Sequence, residues 1–138
     1  MIFTKGEISE VEKTLRIILD SKLFISYLNY ITKNKFNLKK LHTMFLSRYK
    51  SGHFLSPHSD INNGKLAFII NLTPGWKPQY GGNLHFLNNN RSEILHTLTP
   101  AFNNLIIFEV PSQGIPHYVS HVSPGVKLYR YAITGWFI

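Results

Sequence analysis

From residue 41 onward, every apolar segment is stopped by a turn signal before it outgrows a short strand. Asn63-Gly64, Pro74-Gly75, Gly81-Gly82, the run Asn88 to Asn90, and Pro124-Gly125 punctuate the chain at close intervals. Between them lie Leu41 to Tyr49, Leu66 to Leu72, Asn83 to Leu87, Glu93 to Leu98, Asn104 to Val110, Tyr118 to Val122 and Leu128 to Phe137. Leu66 to Leu72 is an almost unbroken apolar run, as a strand covered on both faces requires. Many short strands with tight turns can bury themselves only as a two-sheet sandwich or jelly roll.

The first part of the chain has a different period. Val11, Leu15, Ile18, Phe24 and Leu28 recur at helical spacing from about Ser9 to Ile31, with Asp20-Ser21 as a break or cap between two helices. Lys33 to Lys40 is polar and reads as a loop. The fold class expected is therefore α+β. A helical part spans about 1–40 and a sheet core about 41–138, in one domain of 138 residues. The opening MIFTKGEISEVEK lacks the apolar run of a signal peptide. No stretch approaches the ~20 apolar residues that cross a bilayer. With no cysteine, disulfides, Cys-ligated metals and Cys nucleophiles are excluded. A soluble protein of the cytoplasm, without membrane association, is expected.

The net charge is +8, and Lys33, Lys35, Lys39 and Lys40 form a basic run that could meet an acidic partner. Only Phe36 interleaves it, so stacking on nucleic acid is weakly supported, and a solvated loop is the plainer reading. Outside the first twenty residues the only acids are Asp60, Glu93 and Glu109.

One of those acids carries the chemistry. His58-Ser59-Asp60, with His117 lying 59 residues on, offers two imidazoles and a carboxylate. Such a set suits a mononuclear non-haem Fe(II) centre with open coordination positions. Residues i and i+2 of a strand share a face, so His58 and Asp60 are expected to reach one metal from a strand end. His117 is expected to join them from an opposite strand of the barrel. A zinc hydrolase could use the same three ligands. Arg130 then offers a planar fork for a two-oxygen anion.

The wider pattern resembles the prolyl-hydroxylase-like branch of the Fe(II)/2-oxoglutarate-dependent dioxygenases. The resemblance rests on Tyr49-x-x-Gly52, Phe54-Leu55 and Pro57-His58-x-Asp60, then on Ile70-Asn71-Leu72-Thr73-Pro74-Gly75-Trp76 and Gly81-Gly82-Asn83-Leu84. Pro100-Ala-Phe102-Asn103 leads into Leu105 to Phe108. His117-Tyr-Val119-Ser-His121-Val122 follows, and then Arg130-Tyr-Ala-Ile-Thr134-Gly-Trp136-Phe137. It covers roughly the last ninety residues, in order.

The resemblance implies a double-stranded β-helix with supporting N-terminal helices. It implies His58, Asp60 and His117 as iron ligands, with no catalytic side chain beyond them. Arg130, Thr134, Tyr49 and Asn71 are implied as contacts to 2-oxoglutarate, although Asn71 stands where some relatives carry tyrosine. Ile70, Leu72, Leu84, Ile107, Val119 and Trp136 are expected as apolar walls. His121, four residues after His117, is expected at the barrel rim. The implied cofactors are Fe(II), 2-oxoglutarate and O2, with ascorbate as an accessory reductant. The implied reaction hydroxylates a C–H bond and releases succinate and CO2. A prolyl residue of a protein or peptide leads as substrate. A free amino acid or other small molecule is the alternative, and a non-catalytic basic binding module lies outside this chemistry. Nucleic acid is not the expected substrate, because the second arginine of that branch is Trp136 here.

Overall fold

In the computed structural model, residues 2, 3 and 9–138 are described, so most of the MIFTKGEI start lies outside the described residues. Two helices come first after a two-residue strand β1 (Ile2–Phe3): α1 (Glu10–Leu19) and α2 (Lys22–Ile31). Each is capped by serine. Ser9 accepts from the Glu12 amide and Ser21 from the Phe24 amide, satisfying donors that a helix start leaves free. Asp20 closes α1, and its carboxylate accepts the Leu41 amide at 2.7 Å. The break foreseen at Asp20-Ser21 therefore also ties the helices to the first long strand.

Eight strands follow, with a short 3-10 turn at Pro78–Tyr80 between the third and fourth of them. They are β2 (Leu41–Tyr49), β3 (Leu55–His58), β4 (Leu66–Asn71), β5 (Leu84–Leu87), β6 (Ile94–Leu98), β7 (Asn104–Glu109), β8 (His117–Val119) and β9 (Arg130–Phe137). The pairings are nested. β2 pairs with β9, β3 with β8, β4 with β7 and β5 with β6, all antiparallel. A hairpin of eight strands folded over in this way is a jelly roll. Its sheets run β1-β2-β9-β4-β7 and β3-β8-β5-β6.

The two faces of the larger sheet have different partners. Leu41, Met44, Leu66, Phe68, Ile133 and Phe137 pack with Leu19, Ile25 and Leu28 of the helices. The opposite face gives Tyr49, Ile69 and Ala132 to a second core with Leu84, Val119 and Val122 from the smaller sheet side. Because β4 is covered on both faces, its sequence shows no alternation. The loop before β2 is held by Asn29, whose amide both donates to the Leu38 carbonyl and accepts its N–H. Lys35 of the basic run pairs with Glu109 at 2.7 Å. Among the described residues no helix is long and apolar enough to cross a membrane.

Candidate metal centre

Strand pairing, not barrel closure, joins the distant ligands. β3 lies beside β8, and His58 is the cross-strand partner of His117. The two are thus neighbours in one sheet, which corrects the expectation of facing strands. A second correction concerns Asp60. β3 ends at His58, and Asp60 sits in the turn that follows, where Asn62 takes a left-handed φ of 70°. Strand alternation therefore does not aim Asp60; the turn does.

The three donor groups lie within 4.8 Å of one another. Asp60 is central, with one carboxylate oxygen 3.5 Å from His58 Nε2 and the other 3.4 Å from His117 Nε2. Each imidazole is oriented from behind. His58 Nδ1 lies 2.9 Å from the Ser56 carbonyl and His117 Nδ1 lies 2.8 Å from that of Ile115. A carbonyl only accepts, so both Nδ1 atoms carry a proton, and each Nε2 can either offer its lone pair to a metal or, when protonated, donate to the Asp60 carboxylate. Two neutral nitrogens and one carboxylate, open elsewhere, fit Fe(II) or a similar divalent ion.

Electrostatics favour the charged carboxylate. Burial pushes the Asp60 carboxyl up, but hydrogen bonds from His117 and His58 outweigh it and hold the group well below the usual carboxylate range. His58 is pushed up from its ordinary value, first by its hydrogen bond to Asp60, against the cost of burial. A metal needs that imidazole neutral, so protons compete for it at a higher pH than for a free histidine. Divalent-metal affinity is expected to fall as pH drops through the neutral range, read by titration at several pH values. A flat profile between about pH 8 and 6 would remove His58 from the ligand set.

One loop braces both ends of the site. Ile115, in the connection between β7 and β8, supplies the carbonyl behind His117. Its neighbour Gly114 packs against the turn carrying Asp60, where an added Cβ would lie 2.7 Å from Ser59 Cβ and 2.9 Å from Ile61 Cγ1. Gly114→Ala is expected to displace Asp60 and weaken metal binding by about 10-fold or more, comparable to losing a supporting contact. Gly125→Ala provides the control, since both glycines have positive φ, but nothing lies within 4 Å of Gly125. Equal metal affinities in the two variants would mean that the loop does not hold Asp60.

The triad opens into a cavity of about 300 Å³. Arg130 stands in its wall together with Thr134 and Trp136, alternate residues of β9. Arg130 is 3% exposed, and among the described residues no carboxylate is within ion-pair distance of it. Its Nε lacks a hydrogen-bond partner among the described residues. The guanidinium lies over the Tyr49 ring, 4.8 Å from the centroid, and also hydrogen-bonds to that side chain. Burial pushes its pKa down while Tyr49 opposes the shift. At Gly82 a Cβ would lie 3.1 Å from Arg130 Cδ and 3.3 Å from Trp76 and Val122 side-chain atoms, so glycine there leaves room for the arginine stem. A buried cation without a counter-charge is costly, and a two-oxygen anion from outside would complete it.

The remaining expectations divide. Leu84, Val119 and Trp136 line the cavity as expected. Ile70, Leu72 and Ile107 do not; they pack toward the helix-side core. Ile69, which pairs with Thr134, and Phe108 take their places. Asn71 is also absent from the cavity wall. It pairs with Ala132 and is 1% exposed, and neither its amide nitrogen nor its amide oxygen has a hydrogen-bond partner among the described residues. His121 is outside the donor cluster and stacks on Phe54, ring centroids 4.2 Å apart. The sequence reading missed Phe45 and Ser47 as wall residues, although their even spacing from Tyr49 on one strand marks them.

A sequence profile of the 2OG-Fe(II) oxygenase superfamily matches residues 44–138. The chain is 32% identical over 130 residues to the prolyl 3-hydroxylase OGFOD1 of Xenopus laevis, covering 91% of this chain and 24% of that protein. It is also 32% identical to the Mus musculus protein of that name over 99 residues, covering 68% of this chain and 18% of that one. The chain thus spans about a quarter or less of these relatives' length. A crystal structure of a Pseudomonas putida prolyl-4-hydroxylase aligns with TM-score 0.70 at 21% identity, over 98% of this chain and 70% of that one. A Trichoplax adhaerens prolyl hydroxylase, in complex with a hypoxia inducible factor oxygen degradation domain peptide fragment, aligns with TM-score 0.61 at 23% identity, over 83% and 56%. These two structures share the fold.

Proposed function

The chain belongs to the 2OG-Fe(II) oxygenase superfamily, and from that premise we propose that it hydroxylates a prolyl residue of a protein or peptide, using Fe(II), 2-oxoglutarate and O2. The observation that carries the proposal is Arg130. It is buried and lacks a carboxylate partner among the described residues, and it shares one cavity with His58, Asp60 and His117. A dicarboxylate with one end on the metal and the other on this arginine satisfies both halves of the cavity. A metal-bound water hydrolase would leave Arg130 without a role. The prolyl substrate is taken from the relatives' names.

When bound, Fe(II) supplies the redox chemistry that couples decarboxylation of 2-oxoglutarate to succinate and CO2 with hydroxylation of a C–H bond. The protein's own side chains bind and orient. Asp60 stays ionised between two imidazoles whose proton positions are fixed by Ser56 and Ile115. Arg130 holds the distal carboxylate, with the Tyr49 and Thr134 hydroxyls beside it. Ile69, Leu84, Phe108 and Val119 keep water from the reacting groups, which protects the cosubstrate from unproductive turnover. A chain without cysteine is compatible with a reducing compartment, and we take the cytoplasm as the setting.

The test is incubation with Fe(II), 2-oxoglutarate, ¹⁸O2 and a library of proline-containing peptides. Succinate and one ¹⁸O atom on a prolyl ring are the expected products. Succinate together with a labelled free amino acid, and no labelled peptide, would move the substrate to the small-molecule class.

A further inference from the structure

A second apolar depression lies next to the first. It measures about 490 Å³, and Phe86, Leu87, Leu95, His96, Phe108 and Ile115 line it. Phe108 is the wall common to both. Phe86 and Phe108 meet edge to face at 5.0 Å, and their ring centroids lie 5.8 and 5.2 Å from that of His117. The aromatic wall of the outer groove therefore packs against a candidate metal ligand.

The groove runs beside β6, the outer strand of the smaller sheet. Among the described residues no strand pairs with its far edge, and all five of its residues are exposed. Ile94 and Leu95 show 51% and 54% of their surface. An open edge carrying apolar side chains is a template for one more extended segment. The charge pattern narrows the choice. Of the 15 lysines and arginines, only Arg91 falls between Lys77 and Lys127. On a chain of net charge +8, a stretch this poor in cations selects for apolar surface and not for phosphate or carboxylate.

We propose that this groove receives an extended stretch of the peptide substrate and seats a bulky aliphatic or aromatic side chain a few residues from the hydroxylated one. The proposal rests on the peptide-hydroxylase reading above. Phe108 alone separates cavity from groove, so an extended chain at ~3.3 Å per residue passes from one to the other within a few residues. Specificity then comes from apolar burial near the target, with the backbone of β6 available to fix the strand.

The probes are short synthetic peptides with one central proline, Ser and Ala elsewhere, and a single Leu walked through the flanking positions. Binding is read by fluorescence anisotropy without oxygen, with Fe(II) and 2-oxoglutarate present, and succinate is read separately in air. Leu at one position within about four residues of proline is expected to tighten binding about 10-fold over the Leu-free peptide. Leu95→Glu should abolish that gain, and Leu95→Ser should reduce it. Leu95 is more than half exposed, so neither change disturbs the core. No Leu effect at any position, or an effect that survives Leu95→Glu, overturns the groove. So does a self-associating protein that Leu95→Glu renders monomeric without altering peptide binding. A Leu-dependent gain lost in Leu95→Glu, with no succinate from any peptide, upholds the groove and sinks the hydroxylase reading instead.

Discussion

Arg130→Met is expected to weaken 2-oxoglutarate binding by about 100-fold or more while leaving thermal stability unchanged or higher. Two charge-assisted hydrogen bonds from a guanidinium to a carboxylate contribute roughly 1.5–3 kcal/mol each, and about 2.7 kcal/mol is a factor of 100. The stability half follows from the lack of a carboxylate partner among the described residues. Removing one member of a buried ion pair strands the other, but Arg130 has no carboxylate opposite it among the described residues. Replacing such a charge by an apolar side chain of similar length removes a desolvation cost. The lost stacking on Tyr49 offsets part of that gain. Arg130→Lys keeps the charge and loses the fork, so it should fall between wild type and Met for 2-oxoglutarate and leave iron binding intact. Calorimetric titration of the anaerobic Fe(II) protein, beside a melting curve, measures both. A stability loss of several kcal/mol with unchanged 2-oxoglutarate affinity would make Arg130 a structural residue.

Asp60→Ala is expected to abolish Fe(II)-dependent turnover and to reduce metal affinity well beyond the ~10–100-fold typical of losing a supporting contact. The carboxylate is the one anionic ligand, and it lies between the two imidazoles at 3.5 and 3.4 Å. Proton competition cannot account for the loss. The hydrogen bond to Asp60 is the main cause of the raised His58 pKa, so its removal makes His58 easier to keep neutral. The fold should survive, because Asp60 occupies a turn and leaves no ladder bond unmade. Succinate formation and metal titration at fixed pH provide the check. Turnover within tenfold of wild type would remove the triad as the metal site.

Much of this architecture could be read from residue types, and the errors have physical causes. The helical spacing of Val11, Leu15, Ile18, Phe24 and Leu28 and the Asp20-Ser21 break mark both helices. The turn dipeptides marked most of the strands. Turn dipeptides do not delimit β3, which is four residues long and contains Pro57, unable to donate to a ladder, so only the His58-x-Asp60 spacing points to a strand there. The ligand identities were legible from His58-x-Asp60 and His117, whereas their geometry was not. Nested pairing of β3 with β8 puts the histidines side by side, and no local pattern encodes that register. The cavity wall was assigned out of phase at β4 because Leu66 to Ile70 is apolar on both faces, so nothing in the sequence separates Ile69 from Ile70. Ile94 and Leu95 read as ordinary strand residues. That their strand ends the sheet, leaving both exposed, follows only from the topology.

The central claim is that one cavity holds a metal at His58, Asp60 and His117 and a dicarboxylate at Arg130. Its most direct test is the visible absorption spectrum of the protein with Fe(II) and 2-oxoglutarate in the absence of oxygen. A weak charge-transfer band that requires both additions, and that Arg130→Met shifts to much higher 2-oxoglutarate concentration, is the predicted result. A protein that binds the metal but gives no band at any 2-oxoglutarate concentration would contradict it.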